Sequence, residues 1–136
     1  MNREIKFRYT VTRINGHVFS NTFTINEIQN NKAYSWLTMN LAVDSELSID
    51  QYTGLKDKNG TEIYDGDIIG GYPHGTVTVK WNSEYGCWAS YWTEENFDEA
   101  GEPYTLERDC LFANDLKDCA DEWIVLGNIY ESPELL

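Results

Sequence analysis

The sequence is poor in the residues that most catalytic and metal sites need. Its 136 residues include two histidines, three cysteines, and 10 lysine and arginine residues against 23 aspartate and glutamate residues. The cysteines Cys87, Cys110 and Cys119 are odd in number, and their spacing fits neither a disulfide framework nor a zinc knuckle. We therefore expect reduced, mainly structural thiols, as is usual in the cytosol.

The two histidines offer little for catalysis. His17 begins a strand pattern, and His74 lies in a loop rich in glycine and proline. General acid–base work would require one of them to be held against a partner. Phosphate-binding glycine loops, nucleophile elbows and HExxH motifs are absent from the sequence. We expect no enzyme, no catalytic residue, no metal ligand and no cofactor; a small-molecule enzyme is the least favoured alternative.

Long apolar runs are also missing. The N-terminus has no apolar stretch of the signal-peptide type, and no segment is long enough to span a bilayer. At the same time, 41% hydrophobic and 14% aromatic residues exclude intrinsic disorder. We expect a cytoplasmic protein with one domain, which is divisible into lobes at residues 1–53 and 54–136.

The net charge of −13 is unevenly distributed along the chain. The first 68 residues hold seven basic and nine acidic residues, whereas the remaining 68 hold three and fourteen. Because phosphate backbones attract lysine and arginine, the second half is a poor match for nucleic acid. The acidic excess at 94–122 is either a solubilising surface or a surface for a basic partner.

Strict alternation of apolar and polar residues predicts strands in both halves. Ile5, Phe7, Tyr9 and Val11 alternate with polar residues, and the turn at Asn15-Gly16 leads into a returning strand. Residues 34–43 favour a strand, although their alanine, leucine and methionine also permit a helix.

The stretch 51–69 organises the rest of the chain. Asn59-Gly60 is a tight-turn sequence, and Asp65-Gly66-Asp67 predicts a second corner in which an aspartate bonds nearby backbone amides. The same carboxylates could in principle hold a cation, as could Asp118, Asp121 and Glu122, but neither group supplies enough oxygens by itself.

A meander follows, in which strands at 66–69, 76–81 and 87–92 are separated by turns. Its layout is reminiscent of a small SH3-like barrel. We therefore predict a mainly β fold, α+β at most, with antiparallel sheets, an SH3-like barrel in the second half and one short helix near 114–120. Residues 94–102 predict an exposed loop, and the apolar run at 123–130 predicts a central strand.

Three segments resemble the YopX family of small proteins, which are found mostly in bacteriophages and prophages. They are QYTGLKDKNGTEIYDGDII at 51–69, REIKFR at 3–8 and LGNIYESPELL at 126–136. The resemblance covers the start, middle and end of the chain, whereas 14–49 and 82–122 match no family pattern. It implies a bacterial host cell and no established biochemical activity.

The aromatic residues of the meander are the candidate interaction site. They are Trp81, Trp88, Tyr91 and Trp92, and they form either part of the core or a peptide-binding groove. We expect an accessory protein that binds a host or phage protein, with basic proteins among the candidates, and a homo-oligomer is a further candidate. The alternative is a nucleic-acid-associated protein that uses the basic N-terminal strand with Arg3, Lys6, Arg8 and Arg13.

Overall fold

The computed structural model describes residues 4–71, 75–84, 86–111 and 123–135, with backbone alone at 71, 75, 92–96 and 104–111. This part of the chain is mostly antiparallel β-structure, as the sequence predicts. Its elements are β1 (Lys6–Thr12), β2 (Val18–Thr24), α1 (Ile25–Gln29), α2 (Lys32–Asn40), β3 (Glu46–Lys56), β4 (Glu62–Tyr64), β5 (Asp67–Gly71), β6 (Gly75–Asn82), β7 (Cys87–Phe97), β8 (Pro103–Leu111), β9 (Ile124–Asn128) and a final 3-10 turn (Pro133–Leu135).

The first sheet has the strand order β2-β1-β3-β4. Its β1–β2 hairpin confirms the predicted one, with Phe7 opposite Phe23 across the turn at Asn15-Gly16. Strand β3 then pairs antiparallel with β1, which places Arg8 opposite Asp50. The sheet therefore has one apolar face, which carries Phe7, and one polar face, which carries Arg8.

Two helices cover the apolar face, so the predicted strand at 34–43 is wrong. Helix α1 begins at a capping box, in which the Thr24 side chain accepts from the Glu27 amide and the Glu27 carboxylate accepts from the Thr24 amide. Helix α2 follows and buries Ala33 against Tyr9 and Phe23. A helix is the stable structure here because its apolar side packs against this sheet.

The second sheet has the order β8-β7-β6-β5-β9, and it contains the predicted meander as β5, β6 and β7. It does not close into the expected SH3-like barrel, because β9 pairs with β5 and leaves β9 and β8 on opposite sides. The prediction that the last strand lies centrally is wrong for the same reason. The second half is thus an open sheet in the described part of the chain.

Two more predictions fall in this region. Strand β7 continues to Phe97, and its β8 partner starts at Pro103, so the predicted loop at 94–102 shortens to a turn at 98–102. The acidic sequence indicated an exposed loop, but the backbone groups at the end of β7 form hydrogen bonds with β8 instead. The helix predicted near 114–120 lies outside the described residues.

The apolar core of the second half lies on one face of its sheet. Its buried members are Ile63, Ile69, Val77, Val79, Trp88 and Trp123. Strand β4 supplies Ile63, so the turn–strand–corner unit at 57–66 reaches into this core as well as into the first sheet. None of the described helices has the length and hydrophobicity needed to cross a membrane.

Candidate functional site

An arginine joins the two sheets. The Arg8 Nη1 atom of β1 donates to Asp67 Oδ1 of β5 at 2.6 Å, and its Nη2 donates to the Asp65 carbonyl at 3.3 Å. The guanidinium also lies 5.0 Å from the centre of the Tyr64 ring. Asp67 is 1% exposed, and its second oxygen accepts the Tyr64 amide at 2.8 Å. The corner at Asp65-Gly66-Asp67 therefore accepts a hydrogen bond from a nearby amide, as predicted. It also binds the Arg8 guanidinium of the other sheet.

A second carboxyl group of this cluster has weaker compensation. Asp50 lies 3.9 Å from the Arg8 guanidinium, and its Oδ1 accepts from the Tyr130 hydroxyl at 3.2 Å. The Ser48 hydroxyl in turn donates to the Tyr130 oxygen. We call Arg8, Ser48, Asp50, Asp65, Asp67 and Tyr130 the inter-sheet cluster.

The inter-sheet cluster has more negative than positive charge. Burial raises the pKa of Asp50 to about 6, against the lowering effect of Arg8, and the nearby Asp65 raises it further. Burial likewise raises the pKa of Asp65 and of Asp67. With three carboxyl groups around one guanidinium, Asp50 is the group that can take up a proton close to neutral pH.

The chemistry available to the cluster is a change of charge between the sheets. Asp50 is 6% exposed, and its partners come from both sheets. Protonation of Asp50 therefore alters the contact between the two sheets. Within the described ranges, no group of three or more histidine, cysteine, aspartate or glutamate residues has the geometry to hold a metal ion.

Strand β3 has an unpaired edge beside this cluster. Hydrogen bonds from the Arg13 amide to the His17 carbonyl, and from Ile25 to Ile5, show that odd-numbered residues of β1 bond to β2. Even-numbered residues of β1 therefore bond to β3, and the matching register makes Ser48 and Asp50 their partners. The backbone groups of Leu47, Ile49 and Gln51 must then point away from β1.

Only one of these three outward residues, Gln51, forms a backbone hydrogen bond with another described residue. The Gln51 carbonyl accepts from the Asp65 amide at 2.9 Å, and β4 pairs with β3 only from Tyr52 to Lys56. In the described part of the chain, no group pairs with the backbone N–H or C=O of Leu47 or Ile49. We call residues 46–50 the open edge of β3.

Apolar side chains are exposed at the open edge and just before it. Leu47 is 40% exposed and Ile49 is 50% exposed, on the same face of the sheet as the buried Tyr9 and Val11. Further exposed apolar residues lie upstream in α2 and in the loop that follows it: Met39, Leu41 and Val43. Exposed apolar side chains therefore recur along the chain from residue 39 to residue 49, and sequence analysis did not single them out.

The predicted aromatic site divides between core and surface. Trp88 is buried in the core, whereas Trp81 is 46% exposed and packs edge-on against Trp88 with ring centres 5.1 Å apart. Tyr91 is half-buried on the opposite face, where its hydroxyl accepts from the Asn82 amide group at 3.0 Å. The side chain of Trp92 lies outside the described residues. Trp81 and Trp88 are brought together, and Tyr91 is not part of the same surface.

The described basic residues of the N-terminal strand, Lys6, Arg8 and Arg13, have partners within the chain. Lys6 forms ion pairs with Glu4 and Glu62. Arg13 donates to the Asn40 carbonyl at 2.9 Å and lies over the Phe19 ring. Arg8 belongs to the inter-sheet cluster, and Arg3 lies outside the described residues.

Comparison with known proteins gives a family and similarity to a solved structure. The family model described as YopX protein matches residues 6–136. No curated protein matches the chain. Among solved structures, the chain is similar to protein EF1440 from Enterococcus faecalis, with 23% identity, a TM-score of 0.43, and coverage of 94% of this chain and 74% of that one.

Proposed function

This chain belongs to the YopX family, and we propose that it is a non-enzymatic phage or prophage accessory protein that binds another protein. It acts in the cytoplasm of the bacterial host. The observation that carries the proposal is the exposed apolar surface at 39–49, where Met39 and Val43 are 81% and 90% exposed. Five large apolar side chains that are exposed within eleven residues are typical of a contact site between proteins.

The distribution of charge supports a protein partner over nucleic acid. Lys6 and Arg8, which are 14% and 11% exposed at their side chains, are engaged with carboxylates of the same chain. Phosphate binding would require those ion pairs to break before the cations became available. A salt-dependent gel shift at low ionic strength tests the nucleic-acid alternative, and a shift that Lys6→Gln abolishes would favour it.

The inter-sheet cluster has a structural role in this proposal. Arg8 of β1 bonds to Asp67 of β5, and Asp50 of β3 bonds to Tyr130, which follows β9, so these contacts join the first sheet to the second. Trp81 stays a candidate for a second contact, because its ring is 46% exposed.

The test is affinity capture from host lysate with the full chain as bait. We expect one host or phage protein to be retained in stoichiometric amount by the wild-type chain. The double variant Leu47→Lys/Ile49→Lys should lose it, because charge at two half-exposed positions disrupts an apolar contact without entering the core. Trp81→Ala tests the other candidate contact, on the second sheet, and should still retain the protein.

Two results would count against the proposal. Repeated capture without any specific partner would remove the protein-binding function. Equal recovery by the wild type and the double variant, with loss in Trp81→Ala, would move the contact to the second sheet.

A further inference from the structure

We propose that the open edge of β3 is completed by an extended basic segment of the partner protein, which adds as a strand beside Leu47–Ile49. The inference rests on the proposed function and names the way in which the partner binds. Strand addition of this kind gains its affinity from main-chain hydrogen bonds, and alternate side chains give it specificity.

The backbone geometry leaves room for a strand at this place. Strand β4 is three residues long and stops beside Tyr52, and the last bond on that side is the one from the Asp65 amide to the Gln51 carbonyl. A segment that continues in line with β4 would meet the outward N–H and C=O groups of Ile49 and Leu47. Residues 46–50 offer about 17 Å of edge, which is the length of an ordinary strand.

The open edge has no lysine, proline or bulge to keep another strand away. Residues 41–51 contain no lysine, arginine or proline, and the charged residues among them are all acidic. Lysine, proline and bulges are common ways to protect a strand edge, whereas Leu47 and Ile49 present apolar side chains. The unpaired backbone groups and the exposed apolar side chains therefore belong to the same residues, and the nearby charge favours a basic strand.

The acidic residues beside the open edge indicate which kind of strand can bind there. Asp44 and Glu46 are exposed beside the edge, and they are the carboxylates that a partner strand would meet. A second copy of the chain would bring the same carboxylates, together with its own net charge of −13, into contact. A partner segment that alternates apolar residues, over Leu47 and Ile49, with lysine or arginine on the other face satisfies both sides of the sheet.

The experiment selects peptides for the full chain from a random decapeptide display library. We expect the enriched sequences to alternate apolar and basic residues over at least five positions. The most enriched peptide is then synthesised and titrated by calorimetry against the wild type, Ile49→Pro and Phe97→Gln. Proline at position 49 removes an outward N–H, and we expect at least tenfold weaker binding. Phe97 is 66% exposed on the second sheet, away from the open edge, and Phe97→Gln should bind within twofold of the wild type.

A second arm does not depend on the folding of a variant. The same peptide is methylated at alternate backbone nitrogens, which removes its donors toward β3 and leaves its charge unchanged. We expect at least tenfold weaker binding for one of the two methylation registers and little change for the other. If both methylated peptides bind like the parent, charge alone holds the peptide and the strand pairing is wrong.

Other outcomes also overturn the inference. They are a lack of enrichment, enrichment of sequences without the alternation, and a wild-type dimer that Ile49→Pro dissociates, which would make a second copy the occupant. If such a failure occurs while lysate capture still retains a partner, the mode of binding is wrong and the proposed function stands. If capture fails as well, both fall.

Discussion

The two ends of β3 differ in what lies beside them. From Tyr52 to Lys56 the strand is paired with β4, and the Thr53 hydroxyl donates to the Ile63 carbonyl at 2.7 Å. From Glu46 to Asp50 the strand is paired with β1 alone among the described residues. One end is therefore part of the interior, whereas the other offers backbone and apolar side chains to a partner.

One aspartate, Asp57, fixes the turn at the paired end through hydrogen bonds to three backbone amides. Asp57 Oδ1 accepts the amides of Asn59 and Thr61, and its Oδ2 accepts the Val125 amide of β9 at 2.9 Å. These bonds shape the Asn59-Gly60 turn and attach it to the second sheet. The open end is held through the side chains of Ser48 and Asp50, which bond to Tyr130, whereas the outward backbone groups of Leu47 and Ile49 have no partner among the described residues. A substitution should therefore have a different consequence at each end.

The largest effect should come from Asp57→Ala at the paired end. Three backbone donors lose their acceptor, and we expect the free energy of unfolding to fall by about 3 kcal/mol in urea denaturation. Asp57→Asn keeps one oxygen and should lose about half as much. A loss below about 0.5 kcal/mol in Asp57→Ala would mean that the turn does not depend on this residue.

Proline substitutions compare inward and outward amides of the open end directly. Ser48→Pro removes a donor to β1 and should cost about 3 kcal/mol in the same urea measurement. Ile49→Pro removes an outward donor and should cost less than about 1 kcal/mol. Equal costs for the two variants would show that the outward groups of β3 have a partner after all.

Asp50→Asn should change how stability depends on pH. The pKa of Asp50 is 3.8 in the unfolded chain and about 6 in the folded one, so the folded state binds the proton more tightly. Wild-type stability should therefore rise as pH falls from 6.5 to 4, by about 1–2 kcal/mol after solvent screening. Asp50→Asn should remove this part of the rise, as followed by thermal unfolding at each pH.

Substitution of Asp57 is the control for the pH profile of Asp50→Asn, because the pKa of Asp57 is lowered whereas that of Asp50 is raised. Backbone amides lower the pKa of Asp57 below 3.8 despite its burial, so its contribution is lost only at more acid pH. A rise between pH 6.5 and 4 that is unchanged in Asp50→Asn would assign the proton to another group of the inter-sheet cluster.

Tyr130→Phe should give a smaller effect than Asp57→Ala and Asp50→Asn. It removes the hydroxyl between Ser48 and Asp50, and we expect about 1 kcal/mol lower stability at pH 7. The lost donor should also raise the pKa of Asp50, which carboxyl-carbon NMR titration would detect. An unchanged titration midpoint would mean that the hydroxyl does not bond to Asp50 in solution.

Local patterns in the sequence predicted the local structure well. The β1–β2 hairpin, the turn at Asn59-Gly60 and the corner at Asp65-Gly66-Asp67 all follow from side-chain alternation and turn chemistry. The helices were missed, although Thr24 and Glu27 have the spacing of a capping box and would have indicated where α1 begins.

Features that depend on distant residues could not be predicted. Arg8 and Asp67 are 59 residues apart, and nothing in either segment identifies the other as its partner. The edge position of β9 depends on its pairing with β5, which the apolar run at 123–130 does not reveal. The open edge of β3 depends on the length of β4, so the candidate surface becomes visible only once the pairing is known.

Amide hydrogen exchange along β3, measured by NMR on the free protein, tests the open edge most directly. The amides of Ser48 and Asp50 should be protected by β1, whereas those of Leu47 and Ile49 should exchange at least a hundredfold faster. Equal protection of all four amides would contradict an open edge and would leave no place for a partner strand.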